Sequence, residues 1–118
     1  MATFSKRLLS GSTDGKAIKV TGTGTGSTVT VHTAVTGTTN LDEIWIYANN
    51  TSASSVKLTL EWGTATAADG NIELSVAAES GLVLVTAGLL LQNSLVVKAF
   101  AGTADVILLH GYVNRITV

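Results

Sequence analysis

Two histidines, eight carboxylates and a scatter of serines are the residues here whose types suit proton transfer, metal binding or nucleophilic attack. His32 and His110 each lie in an alternating stretch, and neither has a second histidine or a carboxylate at metal-ligand spacing. A pairing across the fold stays open, but the expected role of both rings is structural or solvated. A serine nucleophile needs a strained turn such as Gly-x-Ser-x-Gly, with histidine and acid partners. Gly11-Ser12-Thr13-Asp14-Gly15 and Glu79-Ser80-Gly81 do not match it. Asp42 and Glu43 are adjacent, so on a strand they point to opposite faces and cannot work as a close acid–base pair. Their expected place is a strand entrance, where they keep Leu41 to Tyr47 from slipping. No enzyme activity, cofactor or metal is expected.

Gly11 to Lys16 is spaced somewhat like a phosphate-binding loop, but has three residues between its glycines rather than four. Ala17 stands where Ser or Thr is required. Gly22-Thr23-Gly24-Thr25-Gly26 lacks the strand-to-helix setting of a dinucleotide fingerprint. Both are expected to be loops, the second a flexible one within the low-complexity run Thr21 to Ser27. Two overlapping glycosylation sequons, at Asn49 and Asn50, read as coincidence without a secretion signal. Trp45, Tyr47, Trp62, Phe100 and Tyr112 could form a sugar-stacking platform. Trp45 and Tyr47 share one face of their strand and Ile44, Ile46 and Ala48 the other. The favoured reading places one set in the core and the other at an interface, where Trp and Tyr are enriched.

The elements that must position these residues are strands. Val56-Lys57-Leu58-Thr59-Leu60-Glu61-Trp62 alternates apolar with polar, as do Ile72 to Val76, Thr28 to His32 and, more weakly, Ala17 to Thr21. Val, Ile and Thr suit a pleated surface. No window carries the three-four apolar spacing and caps of a helix. Turn clusters at Asn49–Ser55, Ala68–Asn71 and Ala101–Asp105 divide the chain into about eight strands. The expected fold is all-β: an antiparallel β-sandwich, jelly-roll-like, with little or no helix. Residues 1–15 are polar and Gly/Ser-rich and read as an extended N-terminal arm, leaving 16–118 as a single sandwich domain.

Only 13% of the 118 residues are charged and the net charge is −1, against roughly 25% charged in ordinary soluble domains. Little self-repulsion keeps copies apart. Seven scattered basic residues make no nucleic-acid footprint. The longest apolar stretch, Leu82 to Leu91, falls well short of the roughly 20 residues that span a bilayer. The start of the chain has no apolar h-region, so no signal peptide is expected. Leu82-Val83-Leu84-Val85, Leu95-Val96-Val97 and Val106-Ile107-Leu108-Leu109 are apolar on both alternating faces. Such strands need a second covering layer, either a long loop or, as favoured here, a neighbouring subunit.

Four stretches together carry a family likeness: Lys6-Arg7-Leu8-Leu9-Ser10-Gly11-Ser12, Thr39-Asn40-Leu41-Asp42-Glu43-Ile44-Trp45-Ile46-Tyr47, Glu79-Ser80-Gly81-Leu82-Val83-Leu84, and Gly111-Tyr112-Val113-Asn114-Arg115-Ile116. In texture and order the chain resembles the small β-sandwich structural proteins of tailed bacteriophage virions, most of all capsid decoration (cement) proteins. The resemblance implies a protein made in the host cytoplasm and carried on the capsid surface. Its partners would be itself, as a homotrimer, and the major capsid protein, with no nucleic acid and no membrane. Lys6, Arg7, Trp45, Tyr47 and Val83 are interface candidates on this reading. So are Val85, Val96, Leu109, Tyr112 and Arg115. The alternatives are a glycan- or receptor-binding module of a fibre or tail, and a head–tail connector component.

Overall fold

In the computed structural model, which describes residues 2–118, the alternating stretches become nine antiparallel strands in two packed sheets. The strands are β1 (Thr3–Leu8), β2 (Ile18–Lys19), β3 (Val29–Thr33), β4 (Leu41–Asn50), β5 (Val56–Trp62), β6 (Asn71–Val76), β7 (Val83–Leu91), β8 (Val96–Ala101) and β9 (Ile107–Thr117). The only helical element among the described residues is a 3-10 turn at Thr25–Ser27. One sheet runs β1-β9-β4-β7, with β2 also on β9, and the other runs β3-β8-β5-β6. Because β1 and β2 pair with successive parts of β9, they are two segments of one interrupted first strand. Counted so, eight strands follow the order of a jelly roll, crossing between the sheets at every step except β5 to β6.

The period-two pattern decides what is buried. In β4, Asp42, Ile44, Ile46, Ala48 and Asn50 face inward while Glu43, Trp45, Tyr47 and Asn49 stay half-buried on the other side. Ile107, Leu109 and Val113 of β9 meet them, and Leu58, Leu60, Val97 and Ala99 close the core from the second sheet. Gly111 lets β9 lie tight on β4, because a Cβ there would sit 2.0 Å from the Trp45 carbonyl oxygen. Register slips twice between β4 and β7, and bulges of this kind change which residues of a strand face out.

Two readings of the sequence change here. Within the proposed arm, residues 3–8 are extended but form the edge strand β1, antiparallel to β9, and Leu9 is 1% exposed in the core. The Thr-Gly run is folded down on the second sheet rather than loose. The Gly22 carbonyl accepts from Ala101 N–H, and the Ser27 backbone sits where a Gly22 Cβ would be. Asn50 closes the turn after β4: its amide nitrogen donates to Ser54 O and Val76 O, and its oxygen accepts from Ser52 N–H and Oγ–H. That sequon side chain is fully buried.

Candidate functional site: the outer face of the first sheet

The antiparallel register places Leu41, Glu43, Trp45, Tyr47 and Asn49 of β4 opposite Ile116, Asn114, Tyr112, His110 and Leu108 of β9, all on the side away from the core. On one flank β1 adds Phe4, Lys6 and Leu8, in register with Ile116, Asn114 and Tyr112. On the other flank β7 adds Leu84 and Leu90, opposite Tyr47 and Glu43. Phe4, Leu8, Leu84 and Leu90 are 70%, 53%, 48% and 51% exposed. Large apolar side chains therefore line both edges of a face whose centre is aromatic.

The centre is held rigidly. The rings of Trp45 and Tyr112 lie 6.0 Å apart with planes within 11° of each other, and the Lys6 ammonium stands 4.9 Å over the Tyr112 ring. Trp45 Nε1–H donates to Glu43 Oε1 at 2.9 Å and Asn114 Nδ2–H to the same oxygen at 3.1 Å. These two hydrogen bonds hold the Glu43 carboxyl below the ordinary carboxylate range. Gly88, at φ +75°, makes room for the indole: a Cβ there would sit 3.2 Å from Trp45 Cζ2. Aromatics pinned in this way contribute contact area with little further entropy to lose on binding.

Beneath one end of this face is a buried polar network that joins the two sheets. Asp42, wholly buried, receives Arg115 Nε–H at 2.7 Å and a second guanidinium nitrogen at 2.9 Å. Val35 N–H donates to it at 3.0 Å, and His32 Nε2 lies 2.7 Å away. Burial pushes the Asp42 carboxyl up, but the hydrogen bonds from Arg115 and His32 and the charge of Arg115 outweigh it and hold it below its ordinary value. Arg115 is raised in turn, chiefly by its hydrogen bond to Asp42. His32 Nδ1 accepts from Ser10 N–H at 3.0 Å. The ring proton therefore sits on Nε2, aimed at Asp42, and the ring is neutral.

By type, Ser10, His32 and Asp42 are a Ser–His–Asp set. By geometry they are not a nucleophilic triad. The Ser10 backbone, not its hydroxyl, meets the ring, while Ser10 Oγ accepts from Thr33 N–H at 2.7 Å. Neither imidazole nitrogen is free to take a proton from a hydroxyl. The arrangement can lock β3, β4, β9 and the turn after β1 together. Among the described residues no group of three His, Cys, Asp or Glu converges as a metal site would require, and no helix is long and apolar enough to cross a membrane.

The residues singled out in the sequence are dispersed by the fold. Lys6, Trp45, Tyr47 and Tyr112 come together on the outer face of the first sheet. Arg7 is exposed on β1, opposite Val113. Arg115 turns inward to Asp42. Leu109 is a correction: at 0% exposure it belongs to the core and can face no partner. Val83 and Val85 also pack against the core, and the outward apolar residues of β7 are Leu84 and Leu90 instead. Val96 lies on the other sheet. The five aromatics do not make one platform, since Trp62 packs against the core and Phe100 sits on β8 of the second sheet. Sequence reasoning missed Phe4 and Leu8, whose alternation with Ser5 and Arg7 was the available signal. No protein-family model matches the chain, and neither does any curated protein or solved structure.

Proposed function

We propose that this protein is a non-enzymatic structural component of a virion, a decoration protein that associates with copies of itself and clamps the major capsid protein of a bacteriophage head. The observation that carries the self-association is the apolar outer face of the first sheet, with Phe4 and Leu8 at one edge and Leu84 and Leu90 at the other. Four strands about 4.8 Å apart, averaging about nine residues at about 3.4 Å per residue, give a face of roughly 20 by 30 Å. With side-chain relief that approaches the roughly 800 Å² per partner of a standard stable interface. The occupant that fits is a second copy of this chain. Its surface carries few charges to repel it, and the charges on the face, the ammoniums of Lys6 and Lys19 and the carboxylate of Glu43, are of both signs. The jelly-roll order and the resemblance in sequence texture support the virion setting and, with it, a trimer on the capsid surface.

Glycan binding has less to support it. Lys6 already covers the Tyr112 ring, and Trp62 and Phe100 lie elsewhere. Sedimentation velocity at several concentrations tests the self-association: the native chain is expected to sediment as an oligomer, and the double variant Leu84→Asp, Leu90→Asp as a folded monomer. Saturable binding to undecorated shells, with a rise in their heat resistance, tests the capsid role. A native chain that stays monomeric and leaves shells unaffected would overturn the proposal.

A further inference from the structure

Glu61 is a buried carboxylate that the outer face of the first sheet does not explain. It sits on the outward side of β5, in the second sheet, opposite Lys98 of β8, yet is only 2% exposed. The Thr25 hydroxyl donates to its Oε2 at 2.5 Å. Its Oε1 is buried and has no hydrogen-bond partner among the described residues. A carboxylate oxygen taken out of water without a donor is costly and rare in native folds.

Glu61 also lines an open cleft of about 260 Å³, together with Thr64, Ser94, Leu95, Val96 and Lys98. We propose that this cleft is a binding site for one cationic side chain, of lysine or arginine type, supplied by a protein partner. The alkyl stem would lie on Leu95 and Val96, and the charged head would reach Glu61 Oε1. The terminal carboxyl torsion of Glu is broad, so the oxygen can turn towards the cleft without a rotamer change. The volume is below the roughly 300–1,000 Å³ of small-molecule sites, which suits a single side chain. Lys98 is the nearest competitor. It is exposed and forms no ion pair within 4.0 Å among the described residues, so water screens its charge far more than that of Glu61. The inference is independent of the self-association of the first sheet.

The test is a two-dimensional NMR titration of the full chain with n-butylammonium and n-butylguanidinium, with n-butanol as the neutral control. Saturable shifts confined to the amides of Gly63, Leu95, Val96 and Lys98 are expected for the cations and not for the alcohol. Glu61→Gln should weaken cation binding by about tenfold or more, the equivalent of one charge-assisted hydrogen bond. Lys98→Ala should strengthen it by removing the competitor. Leu95→Ala, outside the Thr25–Glu61 contact, should weaken binding of the butyl cations even if Glu61→Gln folds poorly. Equal binding of the alcohol, no effect of Leu95→Ala, or weaker binding in Lys98→Ala would overturn the proposal. Spermidine binding much more tightly than n-butylammonium would overturn the assignment to a protein side chain and point to a free polyamine.

Discussion

Replacing Asp42 by Asn keeps the shape of the side chain and removes its charge, which isolates what the buried network contributes. Asp42 accepts from Arg115 through two nitrogens, from Val35 N–H and from the His32 ring. After the change, an amide NH₂ faces donors, and the Arg115 guanidinium loses its counter-ion. Breaking a buried ion pair by removing one partner costs about 3–5 kcal/mol. Arg115 keeps 21% of its side-chain surface exposed and can recover some hydration, so the lower end applies, about 3 kcal/mol. With an unfolding entropy of about 2.1 cal/mol/K per residue, that is a fall of roughly 12 °C in Tm.

The assay is urea unfolding followed by circular dichroism, repeated across pH. The Asp42 carboxyl is depressed in the folded state, so its contribution is complete above the unfolded value of about 3.9 and is lost as pH falls through the lower folded value. The native protein should therefore lose stability below about pH 4. Asp42→Asn should show a shallower loss there; some remains because Glu43 is depressed as well. A cost at pH 7 under about 1 kcal/mol, the size of a surface pair, with unchanged acid sensitivity, would refute the view that this network ties the sheets together.

Two further outcomes follow from the packing. Leu109→Asp places a charge at a site with 0% exposure, and the expected result is an unfolded or insoluble chain rather than a folded monomer; a soluble, cooperatively unfolding variant in circular dichroism would contradict the placement of β9. Gly111→Ala puts a methyl group 2.0 Å from the Trp45 carbonyl and should cost roughly 1–3 kcal/mol as the central strands part, measured by the shift in urea midpoint against the native chain.

Alternation made much of the fold legible. Ile44, Ile46 and Ala48 were separable from Trp45 and Tyr47 on period two alone, because successive side chains on a strand point to opposite faces. The same rule put Asp42 and Glu43 on opposite faces, although it could not say that Asp42 would meet Arg115, 73 residues away along the chain. The apolar runs were harder. Leu82-Val83-Leu84-Val85 and Leu89-Leu90-Leu91 are apolar on both alternating faces, and two register slips against β4 then set which residues point outward. That is why Val83 and Val85 went inward and Leu84 and Leu90 outward. Residues 3–8 looked like a free arm because they carry no core residue, and β1 is held by a backbone ladder to β9 that side-chain composition does not encode.

The sequence by itself determined the all-β class, the near absence of helix, the approximate number of strands and the inward side of the central ones. These depend on local periodicity and on the conformational preferences of Val, Ile and Thr. Tertiary structure alone decided which strands are neighbours, and with that the pairing of Trp45 with Tyr112, the His32–Asp42–Arg115 network and the burial of Glu61. Those contacts join residues far apart in the chain, and their register is set by the packing of both sheets at once, which no local pattern records.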